Sequence, residues 1–566
     1  MALLNETKQL ADLEILKKEE EEELMRVLSD KYGLPYIDLR GMSPDYEALS
    51  IIREEDARDG NIAPFKLTGK KIFIATPTPT NEHLKATLVP LEEKDYEITL
   101  FLCSHESLQH ILNRYEDVLH GSKVASGMLD LSLKKMETLM GMFETKEELS
   151  GHLLEMTKAE ILYKTTRVLE LIIAGALKLH ASDIHIEPEE TKVRLRYRLN
   201  GLLEDIVFFD FALLKNITSR LKLLSGLKLS TVANSQDGRF NIDLGDVEVD
   251  IRVSVVPGNY GESFVMRILD PRNTVDNLDQ IAFPTIVRDV VTQALARPNG
   301  VILTTGPTGS GKTTTLYAFL KHIYTTEVKI LTIEDPIEYH FEGITQTQVE
   351  EEKGYTFLSG LRASLRQDPD VIMVGEIRDE DTAKVAINAA LTGHVVLSTL
   401  HTNNAAGTIP RLLDLGVNGK AIAGALSLSL AQRLVRKICD DCKDVYESSD
   451  KEARAITNIL GEMKVDGKED SMDDHQISVT YPLFKGHGCA SCNNTGYKGR
   501  IGIFEAIVMN SDIEMVLLTN PTEREVKRAA KKQKIPTLRE DGIIKMLGGL
   551  TTFEEVAKAV DLYGEE

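Results

Sequence analysis

The chain has 566 residues, of which 42% are hydrophobic and 27% are charged. This balance excludes collagen-like, low-complexity and wholly disordered chains, and the length allows about four domains with ordinary cores. The formal net charge of −22 repels phosphate backbones, so nucleic-acid binding is not expected. Five cysteines exclude a disulfide-dense secreted scaffold. Without an apolar run of ~18–20 residues or a secretory signal, we expect a soluble, cytoplasmic, multi-domain protein.

The first segment, 1–116, has the pattern of a small α/β domain. Apolar runs at 71–76 and 97–102 predict strands, and the spacing over 107–115 predicts a closing helix. Cys103 stands alone here and is expected to be a buried apolar residue. The segment carries no catalytic constellation, and the polar stretch 117–160 that follows is predicted to be a partly helical linker.

The segment 161–273 begins with a predicted helix over 164–180 whose apolar residues share one face. Two later stretches, 192–199 and 247–255, alternate apolar and charged residues, which predicts strands of an antiparallel sheet. Asn200-Gly201 predicts a two-residue hairpin turn after the first. The charged face carries Arg194, Arg196, Arg198 and Arg252. These arginines form either a solvated outer face or a cationic surface aimed at a phosphate, and the pattern leaves both open.

The strongest chemical signal follows an apolar strand predicted at 301–305. The next residues fit the phosphate-loop pattern G-x-x-x-x-G-K-[ST], and a helical run begins at Thr313. Glycines let successive backbone N–H groups face an anion, Lys312 can reach the β- and γ-phosphates, and the Thr313 hydroxyl can bind Mg²⁺. The predicted ATP-binding residues are Gly306, Pro307, Thr308, Gly309, Ser310, Gly311, Lys312, Thr313 and Thr314.

Carboxylates follow two further predicted strands of this region. Glu376 comes after the apolar run 371–374, where an α/β sheet places its ligand chemistry, so it is expected to hold Mg²⁺ and its water or to orient the attacking water. Glu334 and Glu338 follow a strand that begins at Lys329. Carboxylates grouped at one strand end favour a neighbouring cation or water. Which of the three glutamates is the general base stays open at this stage.

His401 ends another apolar strand, predicted over 394–401, in the same region. A lone histidine is more often structural than catalytic, but its place at a strand end of a phosphate-loop domain favours a functional role.

Two C-x-x-C pairs form the second strong signal. They are separated by 46 residues, 443–488, which are charged and typical of an inserted flap. Four thiolates in two such pairs suit a tetrahedral structural Zn²⁺ site, although reduced cysteines without metal or redox disulfides are the alternatives. The predicted ligands are Cys439, Cys442, Cys489 and Cys492.

At these residues the chain resembles the secretion ATPases of the type II secretion and type IV pilus systems, the GspE/PilB group. The resemblance extends over about 164–560, and 34–39 looks like part of the family's first domain. The cysteine pairs look like those of the assembly-type members. The stretches that carry it are 181–188, 236–239, 250–254, 306–315, 333–338, 366–379, 392–403, 431–436 and 496–500.

The resemblance implies a multi-domain α/β fold with a small N-terminal α/β domain and a second domain containing an antiparallel sheet. A RecA-like ATPase domain over 274–566 is expected to follow, with an inserted zinc module at 439–500 and C-terminal helices at 510–566. It also implies that Arg239 and Arg252 act as arginine fingers on bound ATP. The family's cyclic-dinucleotide motif is not found near 1–31, so that ligand is not expected.

The function implied is that of a hexameric ATP-hydrolysing motor on the cytoplasmic face of the inner membrane, working through a platform protein. We expect it to drive type IV pilus assembly; a type II secretion pseudopilus motor is the alternative. More distant alternatives are a DNA translocase and a nucleotide-gated scaffold without turnover. His401 is expected to report the γ-phosphate state to the ring. The predicted catalytic residues are Lys312, Glu334, Glu338, Glu376, His401, Arg239 and Arg252.

Overall fold

The computed structural model describes residues 21–40, 42, 45–68, 70–92, 96–115, 128–129, 133–158, 164–229, 231, 234–245, 247–273, 277–472 and 475–563. The chain divides into two compact units, one of 1–132 with 218–245 and the other of 133–217 with 246–566. Residues 1–20 of the first segment, and most of 117–132 in the linker predicted over 117–160, lie outside the described residues. The predicted boundaries at 116, 160 and 273 stay predictions.

The strands are β1 (Ala63–Thr68), β2 (Lys71–Thr76), β3 (Glu97–Leu102), β4 (Met128–Leu129), β5 (Asp183–Pro188), β6 (Val193–Leu199), β7 (Leu202–Phe209), β8 (Gln236–Asp243), β9 (Glu248–Gly258), β10 (Gly261–Leu269), β11 (Gly300–Thr305), β12 (Ile330–Glu334), β13 (Thr345–Gln348), β14 (Val371–Val374), β15 (Val395–Leu400), β16 (Leu426–Ile438), β17 (Lys443–Glu447), β18 (Pro482–Gly486) and β19 (Tyr497–Val508).

The helices are α1 (21–32), α2 (Tyr46–Ile51), α3 (Glu54–Gly60), α4 (Glu82–Glu92), α5 (His105–Leu112), α6 (Leu133–Met140), α7 (Lys146–Lys158), α8 (Lys164–Lys178), α9 (Phe211–Leu224), α10 (Thr285–Leu295), α11 (Lys312–Ile323), α12 (Phe357–Ser364), α13 (Glu380–Leu391), α14 (Thr408–Asp414), α15 (Gly419–Ala425), α16 (Asp450–Val465), α17 (Ser511–Thr519), α18 (Glu523–Ala530), α19 (Leu538–Leu547) and α20 (Phe553–Ala559). None of the helices in the described part of the chain is both long and apolar enough to cross a bilayer.

The first unit contains the predicted small α/β fold. Its sheet has the order β1-β2-β3, with β1 antiparallel and β3 parallel to β2. The two strands predicted from apolar runs are β2 and β3, and the predicted closing helix is α5, which begins two residues earlier than expected. Cys103 is fully buried, and burial raises the pKa of its thiol to about 12. The expectation of a buried cysteine is therefore confirmed.

An antiparallel sheet of order β9-β10-β5-β6-β7 belongs to the second unit. The apolar residues of β6 are all buried, as their alternation predicts. The turn between β6 and β7 consists of Asn200 and Gly201, both with positive φ (49° and 90°), which a two-residue hairpin of this kind requires. The predicted hairpin and antiparallel sheet are confirmed.

The arginines of β6 lie on the outer face of that sheet and are paired with carboxylates on neighbouring strands. The pairs are Arg194 with Asp205 at 2.6 Å, Arg196 with Glu187 at 2.6 Å, and Arg198 with Asp183 at 3.1 Å. Their charges are already balanced within the sheet, so these three arginines form the charged outer face rather than a phosphate-binding surface.

The second unit also contains a RecA-like sheet of order β13-β12-β14-β15-β11-β16-β19. Its neighbouring strands are parallel except for the antiparallel pair β16–β19. Strands β11, β12, β14 and β15 are buried throughout, because helices cover both faces of a parallel sheet. The cysteine module is inserted between β16 and β19, as predicted. The predicted C-terminal helices over 510–566 are α17, α18, α19 and α20.

Candidate nucleotide-binding and metal sites

The phosphate loop connects β11 to α11 at the carboxyl edge of the RecA-like sheet. Gly306 has a φ of 151°, and a Cβ placed on it would lie 2.6 Å from both the Gln432 carbonyl oxygen and Ser310 Oγ. A side chain there would force the loop away from β16. Gly311 has a φ of 90° and is the N-cap of α11, so the loop enters the helix through a conformation that favours glycine.

The remaining predicted loop residues differ in exposure. Pro307, Thr308 and Gly309 are exposed, whereas Ser310 is buried. Thr313 is exposed and Thr314 partly buried on the first turn of α11. Helix N-termini present free N–H groups and the positive end of the helix dipole, so this loop has the form of an anion site.

Lys312 folds back over the loop that precedes it. Its Nζ donates hydrogen bonds to the carbonyl oxygens of Gly306 at 2.8 Å and Pro307 at 3.1 Å. Burial lowers the pKa of Lys312; Glu376 opposes this shift, and the positive charge of Arg433 adds to it. The lysine is therefore a partly desolvated cation, which a bound anion would stabilise.

Glu376 lies two residues beyond β14, beside the loop that follows β15. Its Oε2 is 3.4 Å from His401 Nε2, and its Oε1 forms an ion pair with Arg378. The Arg378 guanidinium also lies 4.0 Å from Asp335 Oδ2. The sheet order brings β14 and β15 together, so Glu376 and His401, which were predicted separately as site residues, are in contact. The partner Arg378 was not predicted, although it lies in the stretch 366–379.

Glu334 lies at the end of β12 and is buried, with only 3% of its surface exposed. Its carboxylate accepts hydrogen bonds from the hydroxyls of Thr332 at 2.6 Å and Tyr317 at 2.5 Å. Gln346 Nε2 donates a third bond at 3.1 Å. These three donors satisfy most of the acceptor capacity of Glu334, which holds β12, β13 and α11 together.

Glu338 lies beyond the same strand end and meets Arg252 from the antiparallel sheet. Arg252 Nη1 is 3.5 Å from Glu338 Oε2, and Arg252 Nη2 donates to the Ile337 carbonyl oxygen. Burial raises the pKa of Glu338, and the charges of Arg252 and Arg267 oppose this rise. Arg252 therefore lies beside the candidate site. Arg239 is exposed on β8 of the first unit, and its expected role on ATP stays a prediction.

Two side chains of β16 lie beside the phosphate loop, although sequence patterns assigned them no chemistry. Gln432 Nε2 donates to the Ser310 carbonyl oxygen at 2.7 Å, which fixes the peptide before Gly311. Arg433 donates through Nη1 to the Gln432 carbonyl at 3.0 Å and through Nη2 to the Asn403 carbonyl, in the loop after His401. The resemblance of 431–436 to the family was the only earlier signal for them.

The two cysteine pairs converge at the base of the inserted module. The four sulfur atoms lie within 4.8 Å of one another. Sγ–Sγ distances of 3.9 Å (Cys439–Cys489), 3.8 Å (Cys442–Cys492) and 3.8 Å (Cys489–Cys492) are found. A tetrahedral Zn²⁺ with Zn–S bonds of about 2.3 Å separates its sulfurs by about 3.8 Å, so the thiols fit this ion.

Backbone groups support the thiolate form at one of these cysteines. Burial by itself raises the pKa of Cys492, but N–H groups of Cys489 and Gly496 donate to its sulfur, each at 3.2 Å. The pKa of the Cys492 thiol is lowered to about 7 as a result. Such N–H···S bonds are the outer contacts that a metal-binding thiolate uses.

A phosphate loop on a RecA-like sheet, with a glutamate and a histidine at adjacent strand ends, defines a phosphate-loop ATPase. The chain belongs to the type II/IV secretion system protein family, whose model matches residues 159–558. The model of the MshEN domain matches residues 32–122. The predicted family and fold class are therefore confirmed.

Curated relatives differ in how much of the chain they match. The type IV pilus assembly ATPase PilB of Myxococcus xanthus is 36% identical over 543 residues, which cover 95% of this chain and 91% of that protein. The type II secretion system protein E of Aeromonas hydrophila is 41% identical over 392 residues, covering 69% of this chain and 75% of that protein.

A solved structure supports the fold. The ATPase DotB of Legionella pneumophila superposes with a TM-score of 0.50 at 23% identity, covering 69% of this chain and 94% of DotB.

Proposed function

We propose that this protein is an ATP-hydrolysing motor that powers type IV pilus assembly. The observation that carries the proposal is the grouping of Lys312, Glu376 and the Glu338–Arg252 pair at one edge of the RecA-like sheet. A phosphate loop supplies the binding site, carboxylates follow neighbouring strands of the same sheet, and an arginine of a separate sheet pairs with one of these carboxylates. This is the combination of parts that phosphoryl transfer to water uses.

In the proposed reaction, water attacks the γ-phosphorus of ATP, the bond to the β–γ bridging oxygen breaks, and ADP and phosphate form. Lys312 neutralises charge that develops on the γ-phosphoryl group, and Arg252 supplies a second cation. The proton of the attacking water passes to a carboxylate. Glu338 and Glu376 are the candidates for this role, because the oxygens of Glu334 already accept three hydrogen bonds.

Glu338 is suited to proton transfer by its surroundings. Burial raises its pKa towards the working pH, and a base whose pKa approaches that pH accepts a proton more readily in the transition state. His401, in contact with Glu376, is placed to transmit a change at that carboxylate to the loop 401–404.

Two metals are implied by the donor sets. The Thr313 hydroxyl and Glu376 carboxylate are hard oxygen donors of the kind that bind Mg²⁺, which neutralises phosphate charge when bound. The four cysteines would hold a structural Zn²⁺ between β16 and β19, where it would fix the inserted module to the sheet.

The extent of the similarity to relatives favours the pilus over the pseudopilus. The Myxococcus PilB match covers 95% of the chain, including the first unit, whereas the Aeromonas protein E match covers 69%. We propose that the protein acts as a homo-hexamer at the cytoplasmic face of the inner membrane, through a platform protein of the pilus machine. The net charge of −22 argues against a DNA translocase.

The test is steady-state ATPase activity of the purified protein and of Glu376→Gln, with Glu380→Gln as control. Glu380 is 59% exposed, and within the described residues its ion pair is the local one with Lys384 on the same helix. A motor should lose most of its turnover in Glu376→Gln and retain nucleotide binding, while Glu380→Gln behaves as the parent. A parent that binds ATP without hydrolysing it would support the scaffold alternative, and stimulation of turnover by DNA would support the translocase.

A further inference from the structure

Arg433 lies at the level of the phosphate loop because of strand register. Strand β16 runs parallel to β11, and Ala431 is opposite Thr305, the last residue of β11. The two residues that follow Ala431 therefore extend past the end of β11, beside the loop that begins at Gly306. A Cβ atom placed on Gly306 would lie 3.1 Å from Arg433 Nη1, which shows how closely the guanidinium approaches the loop.

The hydrogen-bond partners of Arg433 are neutral. Its Nη1 and Nη2 donate to the carbonyl oxygens of Gln432 and Asn403. A guanidinium has five N–H donors, so these two bonds leave donors to spare. Other arginines near the same sheet have carboxylate partners: Arg252 has Glu338 at 3.5 Å, and Arg436 has Glu555 at 2.7 Å.

The charge of Arg433 is poorly balanced within the protein. Among the residues that the structure describes, the Arg433 guanidinium forms no ion pair with a carboxylate, and its hydrogen bonds go to two carbonyl oxygens. Burial lowers the pKa of Arg433, and the charge of Glu505 partly opposes this shift. Both Glu505 oxygens, however, already accept backbone N–H bonds, from Ala405 at 2.8 Å and Leu538 at 3.3 Å. Lys312, a second cation, is close enough for the two charges to repel.

Two partly buried cations beside one anion-binding loop are unfavourable unless an anion joins them. The loop N–H groups and the start of α11 face the same place. We propose that Arg433 contacts the phosphate chain of bound ATP from the β16 side, in the same subunit as the phosphate loop. Its bond to the Asn403 carbonyl then ties the loop after His401 to the occupied nucleotide site. This inference rests on the proposed function, since it needs ATP at that loop.

The variants Arg433→Met and Arg433→Lys test this role. Methionine keeps an apolar stem and removes the charge, whereas lysine keeps the charge and removes the forked donor. Arg454→Ala is the matched control, because Arg454 is exposed on α16 of the inserted cysteine module. The measurements are the Kd of a fluorescent ATP analogue and of ATP by competition, KM and kcat, and Tm with and without nucleotide.

For Arg433→Met we expect a loss of roughly 10- to 100-fold in ATP affinity, the range for a charge-assisted hydrogen bond, with KM raised accordingly. Its Tm without nucleotide should stay near that of the parent, and the Tm increase caused by nucleotide should shrink. Arg433→Lys should recover part of the affinity, and Arg454→Ala should match the parent in all readouts.

A parental ATP affinity in both Arg433 variants would overturn the inference. So would a lower Tm without nucleotide combined with an unchanged nucleotide-induced increase, since that result describes a structural arginine. If Arg433→Met does not fold, Arg433→Lys decides alone, and parental affinity there together with parental KM overturns the inference. If the parent hydrolyses ATP and both variants keep the parental ATP affinity, only the role of Arg433 is contradicted. A parent that binds no nucleotide contradicts the proposed function itself.

Discussion

Arg252, on the outer face of the antiparallel sheet, lies 3.5 Å from Glu338, which follows the end of a strand in the RecA-like sheet. The two residues are 86 positions apart in sequence, and Arg252 lies on β9 whereas Glu338 lies in the loop after β12. Each is partly buried, with about a quarter of its side chain exposed. The contact places a cation from one sheet beside a carboxylate at the candidate catalytic edge of the other, and it sets Arg252 apart from the arginines of β6.

The first prediction concerns Arg252→Ala. A cation that acts on charge developing in the transition state should affect kcat more than nucleotide affinity. We expect kcat to fall by ~10³-fold or more, the range for arginine fingers, with Kd changed less than about tenfold. Steady-state ATPase and nucleotide binding on the same preparation measure both quantities.

The control for this prediction is Arg194→Ala, which removes an arginine from the outer face of the same sheet, paired with Asp205. It should leave kcat near the parental value. An unchanged kcat in Arg252→Ala would mean that Arg252, like Arg194, serves only the charged outer face.

The second prediction concerns Lys312→Ala. The variant should lose ATP turnover, because it lacks the cation that neutralises charge on the γ-phosphoryl group. It should keep its fold, because burial already disfavours the Lys312 cation and the substitution leaves only two loop carbonyls without that donor. ATPase assays and far-UV circular dichroism check the two parts. Lys420→Ala, an exposed lysine of α15, is the control. Parental turnover in Lys312→Ala would contradict the motor proposal.

The third prediction concerns metal content. Purified protein should carry about one zinc per chain, since three Sγ–Sγ distances of 3.8–3.9 Å match a tetrahedral tetrathiolate site. Cys492→Ser should lose the zinc and lower Tm, and Cys103→Ala, which changes the remaining cysteine, should keep it. The absence of zinc in elemental analysis of folded, active parent protein would contradict the proposed zinc site.

The fourth prediction concerns the pH dependence of stability. Burial raises the pKa of Glu338, so between roughly pH 4 and the raised value the native state keeps a proton that the unfolded chain has released. This contribution therefore destabilises the protein as pH rises through that window, by at most about 1.4 kcal/mol per pH unit. In Glu338→Gln this loss should be absent.

Urea unfolding of the parent and Glu338→Gln from pH 4 to 8 gives the comparison, with the exposed Glu342→Gln as control. The stability of Glu338→Gln relative to the parent should increase across the window and then become constant. A difference that does not vary with pH would show that Glu338 has an ordinary pKa.

Local sequence patterns predicted the features that neighbouring residues determine. The alternation of β6 and the Asn200-Gly201 turn were predicted because side-chain period and backbone φ are local properties. The phosphate loop was predicted for the same reason, because its glycines and Lys312 are neighbours in sequence and act together on one anion. The C-x-x-C spacing likewise indicated the sulfur cluster before its geometry was known.

Side-chain partners across strands depended on the tertiary structure. Glu334 looked equivalent to Glu338 in sequence, yet it is buried under Thr332, Tyr317 and Gln346, whereas Glu338 faces Arg252. Arg433 lies beside a loop about 120 residues earlier because β16 is next to β11 in the sheet. Hydrophobic periodicity determines that these segments are strands, but strand order and register decide which charges meet, and those depend on packing of the whole core.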